Sequence, residues 1–171
     1  MGRARRIGLP VVRRRSGGSG LLHGEGDLMW SVVLPRGDPL AGRDFASAYA
    51  RLGRGVVQWL ADLGVAAVWS PPLALSKEFC LLGARGNVLT VSGRVLGGAA
   101  QHLTSRALLH HGTVGLRVDR PLLARLFDLE RSTLEAAVTS LSEEGVDRPP
   151  RDLASTLSNR LAEATALRRG G

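Results

Sequence analysis

The spacing of apolar positions changes several times along the chain, and the changes divide it into elements. Residues 9–14 and 28–34 are rich in branched apolar side chains and read as strands. Residues 35–39, Pro-Arg-Gly-Asp-Pro, read as a turn. From about Asp44 the period becomes helical. Phe45, Tyr49, Leu52, Val56, Trp59, Leu60 and Leu63 recur at three and four residues and form one buried stripe. Gly53 and Gly55 weaken this helix and mark where it can break, and Gly64 is placed to end it. Residues 65–69 read as a short buried strand ended by Ser70-Pro71-Pro72, and residues 73–84 are apolar without a period. Strands follow at residues 87–91 and 108–118, with a glycine-rich strand leading into a turn at residues 93–101 between them. Asp119 caps a short helix that has Pro121 near its start and runs to about Phe127. Ser132 with Glu135 three residues on reads as a capping box for a helix over residues 132–141. Pro149-Pro150 breaks the chain before a last amphipathic helix over residues 151–167, with Leu153, Leu157, Leu161 and Ala164 as its apolar face.

Strands, one helix, strands and then helices describe an α+β (mixed α/β) fold, a mixed sheet flanked by helices. The 171 residues suit one domain, expected over residues 9–168. Residues 1–8 carry Arg3, Arg5 and Arg6 without an acid and read as a basic lead-in, disordered or shortened.

The formal net charge is +8, and Lys77 is the only lysine. Such a surface suits an acidic partner. The few aromatic residues are not interleaved with the arginines, and neither a zinc finger nor a basic zipper is present, so nucleic acid is not an expected partner. No apolar run has membrane-spanning length and the N-terminus lacks a secretory signal, so no membrane association is expected. A single cysteine, Cys80, cannot form an internal disulfide and fits a cytoplasmic location.

Residues 13–27, RRRSGGSGLLHGEGD, hold the densest chemistry. Glycines let a backbone come close to a ligand, and successive N–H groups form an anion-binding concavity. Arg13, Arg14 and Arg15 add charge-assisted contacts to phosphate or carboxylate, while a flexible connection with solvated arginines has the same composition. His23 lies within this loop. His110 and His111 are consecutive, so only one of them can face a core from a strand, and His102 reads as a surface residue. The four histidines lack metal-ligand spacing.

Arg13-Arg14-x-Ser16-Gly17-Gly18 followed by His23 and Gly26 resembles the lipoate-binding loop of lipoate-protein ligases and octanoyltransferases, which share the catalytic fold of biotin-protein ligases. Gly86-Asn87-Val88, Gly93-Arg94-x-x-Gly97-Gly98-x-Ala100-Gln101 and His111-Gly112-Thr113 match further signatures in the same order, so the resemblance covers residues 9–167. It implies transfer of a lipoyl or octanoyl group to a lysine of an acceptor domain: the ligases pass through an acyl-adenylate made from the acid and ATP, with Mg²⁺ arriving with the ATP, and the transferases take octanoyl from acyl carrier protein instead. It also implies substrate binding by Arg13, Arg14, Ser16, Gly17, Gly18, His23, Gly97, Gly98 and Gln101, with lipoate or octanoate and a lipoyl-domain or acyl-carrier protein as partners. One group of octanoyltransferases carries a nucleophilic cysteine near the position of Cys80, thirteen residues before Gly93.

Two departures stand out. The family places a lysine after the Gly-Arg pair, where this chain has Val95, so a non-catalytic lipoate- or octanoate-binding relative is the alternative reading. The family also has a strand and a helix ahead of the Arg-Arg pair, which the residues before Arg13 do not supply, so a shortened fragment is a further alternative.

Overall fold

A computed structural model of the chain describes residues 2–41, 45–83 and 88–166. Gly86 and Asn87 ahead of the glycine-rich strand, Asp44 at the start of the first helical stripe, and residues 167 and 168 at the end of the expected last helix and domain lie outside them. The strands are β1 (Asp27–Pro35), β2 (Ala67–Ser70), β3 (Val88–Val91), β4 (Arg94–Leu103) and β5 (Ala107–Gly115). The helices are α1 (Gly2–Arg6), α2 (Phe45–Asp62), α3 (Arg120–Phe127), α4 (Arg131–Ala137) and α5 (Pro150–Ala166). The five strands form one sheet in the order β1-β5-β4-β3-β2. The α+β class expected from the sequence is the class observed. The sequence suggests a mixed sheet, but every ladder is antiparallel. Parallel contacts among the described residues are the isolated bridges Gly20–Phe79 and Val95–Val138.

Side-chain alternation gives the sheet two different faces. Leu28, Trp30, Val114, Leu89 and Val91 point to one of them, where Val56, Trp59 and Leu60 of α2 and Leu153, Leu157 and Leu161 of α5 close the main core. The glycines of α2 do not break it. Gly53 makes room for the Trp69 indole, whose N–H donates to the Gly53 carbonyl at 3.0 Å, and Gly55 makes room for Ala164 of α5. On the opposite face a second cluster forms where Phe79, Leu82, Leu123, Phe127, Leu134 and Val138 pack over Val88 and Val95. That cluster covers one end of the face only, and the rest of it is the floor of a cavity.

Three local expectations are corrected. Residues 9–14 form no ladder, and the chain there is loop. Ser132 lies inside α4 instead of capping it; Glu130 is the N-cap residue without a side-chain cap, and the helix stops at Ala137 because Val138 bridges to Val95 and the Thr139 N–H donates to the Val95 carbonyl at 2.9 Å. Residues 93–101 do not turn, since β4 runs on through Leu103. The expected cap at Asp119 is present, its carboxylate accepting from the Leu122 N–H at 2.9 Å. Within the basic lead-in, α1 is held by Arg3, which pairs with Glu78 at 2.8 Å and Asp128 at 2.6 Å.

Candidate active site

A cavity of about 450 Å³ opens on the sheet face that α2 and α5 do not cover. Its floor follows from the strand register. Met29 and Ser31 of β1, Leu109, His111 and Thr113 of β5, and Gly98 and Ala100 of β4 alternate toward it. Leu21 and Leu81 add to its apolar wall, and Arg14, His23 and Cys80 complete its polar side. A pocket of this size with an apolar wall and a few convergent polar groups suits an acyl chain with a polar head.

The glycine-rich loop builds the polar side through two close approaches. At Gly20 the backbone joins the segment before Cys80: its N–H donates to the Glu78 carbonyl and its carbonyl accepts from the Cys80 N–H, both at 2.8 Å. A β-carbon at Gly20 would lie 2.8 Å from the Phe127 ring. At Gly18, with φ of 103°, a β-carbon would lie 2.4 Å from an Arg14 guanidinium nitrogen and 2.7 Å from Cys80 Sγ. Glycine is therefore required where the loop passes over the thiol. The extended run 13–15 turns Arg13 and Arg15 outward and Arg14 inward. The Arg14 guanidinium donates to the carbonyls of Gly17 and Ser19, each at 3.0 Å, and to Cys80 Sγ at 3.3 Å. A fixed guanidinium thus stands beside a half-buried thiol.

His111 and Ser16 form a second polar pair, with His111 Nε2 2.7 Å from the Ser16 hydroxyl. Burial lowers the His111 pKa from its ordinary value, and the charges of Arg14 and His23 lower it further. His110 faces the opposite way, fully buried between Tyr49 and Trp30 with ring centroids 5.0 Å from each. Its burial, with a smaller effect of His111, lowers its pKa to about 4. The expectation that only one of the two consecutive histidines faces the core therefore holds. His23 Nδ1 sits 3.4 Å from the Asp27 carboxylate.

The residues expected from sequence to bind substrate do not all meet in the cavity. Arg14, His23, Gly98 and Cys80 line it. Ser16 stands behind His111, and Gly18 packs against Arg14 and Cys80. Arg13 and Gly17 are exposed. Gly97 supports β5, where a β-carbon would lie 2.1 Å from the Thr113 carbonyl oxygen. Gln101 hydrogen-bonds His110 Nδ1 at 3.1 Å, on the helix-covered side. Val95 is fully buried in the second cluster, and its neighbour Arg94 is bound to Glu144 at 2.8 Å. Sequence reasoning missed Met29, Leu109 and the Thr113 hydroxyl. The last is buried against the cavity with no hydrogen-bond partner among the described residues, as is the Trp30 indole N–H. Alternation along His111-Gly112-Thr113 was the signal that puts Thr113 on the floor with His111.

Among the described residues the lining does not supply the donors that Mg²⁺–ATP needs. No carboxylate among the described residues lines the cavity to meet the cation, and Arg14 is the only arginine or lysine that does. No group of three or more metal-ligating side chains occurs among the described residues.

The two-faced sheet and its glycine-loop pocket define a class, and residues 1–162 match the family model "Lipoyl protein ligase A/B catalytic domain". The chain belongs to this family. Among curated relatives, it is 35% identical over 147 residues to octanoyltransferase LipM of Exiguobacterium sp., covering 81% of this chain and 53% of the relative. It is 31% identical over 132 residues to octanoyltransferase LipM of Geobacillus kaustophilus, covering 72% and 47%. The chain thus spans about half the length of these relatives. Solved structures share the fold. A lipoate-protein ligase A bound with ATP superposes with a TM-score of 0.75 at 22% identity, over 95% of this chain and 62% of that one. A bipartite lipoate protein ligase of Thermoplasma acidophilum, studied with its lipoyl domain, gives 0.74 at 20% identity, over 96% and 61%.

Proposed function

We propose that this chain is the acyl-transfer core of an octanoyl- or lipoyl-transferase that carries the acyl group on Cys80 as a thioester. The observation that carries this reading is the placement of Cys80 Sγ on an apolar cavity with the Arg14 guanidinium 3.3 Å away. In the first half, the Cys80 thiolate attacks the carbonyl carbon of an acyl thioester on a carrier. A C–S bond to Cys80 forms, the carrier's C–S bond breaks, and the carrier leaves as its thiolate. In the second half, a neutral lysine amine of the acceptor domain attacks the Cys80 thioester, a C–N bond forms, the C–S bond to Cys80 breaks, and the nitrogen's proton leaves with the released Cys80 thiol. The apolar wall from Leu21, Met29, Leu81 and Leu109 holds the acyl chain. The net charge of +8 steers acidic carriers toward the site. The same cavity without reaction is the second reading, favoured by Val95 at the family's lysine position. Incubation with an octanoyl thioester and no ATP, followed by intact-mass measurement, separates the two. The expected result is a gain of one octanoyl group that falls about 10³-fold or more in rate in Cys80→Ser. No gain, or a gain that persists in Cys80→Ser, rejects the thioester reading.

A further inference from the structure

The second half-reaction needs a base, because a lysine amine reaches the site protonated and must lose one proton before it can attack and a second as the amide forms. Val95 offers none, and Lys77 is exposed and does not line the cavity. Among the described residues, the titratable groups on the cavity wall are Arg14, His23, Cys80 and His111. Arg14 does not give up its proton. Cys80 carries the acyl group at that stage. His23 is tied to the Asp27 carboxylate at the partly exposed side of the loop. His111 remains.

We infer that His111 is the general base that takes the proton from the attacking lysine amine, with Ser16 as its positioning residue; this rests on the reading of Cys80 as the acyl carrier. The strand register puts His111 on the cavity floor between Ser31 of β1 and Ala100 of β4. The buried Ser16 hydroxyl fixes the ring through Nε2 at 2.7 Å. With Nε2–H donated to Ser16 Oγ, Nδ1 keeps its lone pair, and among the described residues no hydrogen bond occupies it. Arg14 and Ser16 from the loop, His23, Cys80 and the adjacent His110 are the charged, polar and titratable groups around it. Their effect and burial keep the ring neutral at pH 7, the state a base requires. His111 Nδ1 takes the first proton from the lysine ammonium, which frees the amine to attack, and the imidazolium releases that proton to solvent. As the C–N bond forms and the C–S bond to Cys80 breaks, the second proton passes from nitrogen to the departing Cys80 sulfur, and both groups end neutral.

The test separates the halves of the reaction. Wild type, His111→Gln and Ser16→Ala are acylated with an octanoyl thioester, and the acyl-enzyme is discharged either to a lysine model amine or to hydroxylamine, which is already neutral at pH 7. Formation of the acyl-enzyme in His111→Gln shows that the variant is folded, and its discharge to hydroxylamine is the reference against which its discharge to the lysine amine is read. Discharge to the lysine amine is expected to slow about 10²- to 10⁴-fold. The wild-type rate should fall as pH drops below the ordinary histidine value, and this acid limb should vanish in His111→Gln. Ser16→Ala should keep the limb and move its midpoint. Unchanged discharge to the lysine amine, or equal slowing with both nucleophiles, overturns the inference while leaving Cys80 as carrier. Absence of any acyl-enzyme in wild type overturns the carrier reading, and the base with it.

Discussion

At Gly18 one missing methyl group decides the geometry of a reactive thiol. Its β-carbon position lies 2.4 Å from an Arg14 nitrogen and 2.7 Å from Cys80 Sγ, and its φ of 103° is strained for any side chain. Gly18→Ala should cost about 1–3 kcal/mol of stability by urea titration. It should also push the guanidinium off the sulfur, so that alkylation of Cys80 by iodoacetamide at pH 7 slows several-fold. The residue scale is also where sequence reading reached furthest and then stopped. The arginine run at residues 13–15 and the glycines after it marked the loop, but not which arginine turns inward, because that depends on a partner 66 residues away at Cys80.

Among the elements, β4 does the most positioning. Its bulge opposite Leu89 and Thr90 lets Val95 join the second cluster on the cavity side while Leu96 joins the main core. Gly97 then sits so close to β5 that a β-carbon would lie 2.1 Å from the Thr113 carbonyl oxygen, which is backbone and cannot swing away. Gly97→Ala should therefore destabilise the fold by about 3 kcal/mol, read as a lowered urea midpoint, and disturb the cavity floor at Thr113. Element existence was legible wherever a period ran long, as in α2 and α5 with their leucine and tryptophan stripes. It was not legible where a long-range contact competes with local preference. The apolar run at residues 9–14 lacks a ladder partner, and Val138 leaves α4 for β4 although Ser132 and Glu135 favour a longer helix.

Over the whole molecule, the sheet separates stability from chemistry. The face covered by α2 and α5 buries His110 completely, and its pKa of about 4 in the folded chain lies below the ordinary 6.5. The unfolded chain binds that proton first as pH falls, so the neutral ring's contribution is fully present above pH 6.5 and is lost between pH 6.5 and 4. The loss is about 3 kcal/mol, a sizeable part of a typical domain's stability. Urea midpoints should fall over that interval, and His110→Asn should flatten the dependence. The opposite face gains its shape from the paired backbone hydrogen bonds between Gly20 and the segment Glu78–Cys80. Because the Cys80 amide is itself one of the two donors, its deuterium uptake and that of Gly20 follow a single opening event. The population of the open state, read from the exchange rate of these two amides, is the fraction of time in which the loop is unzipped from the Cys80 segment.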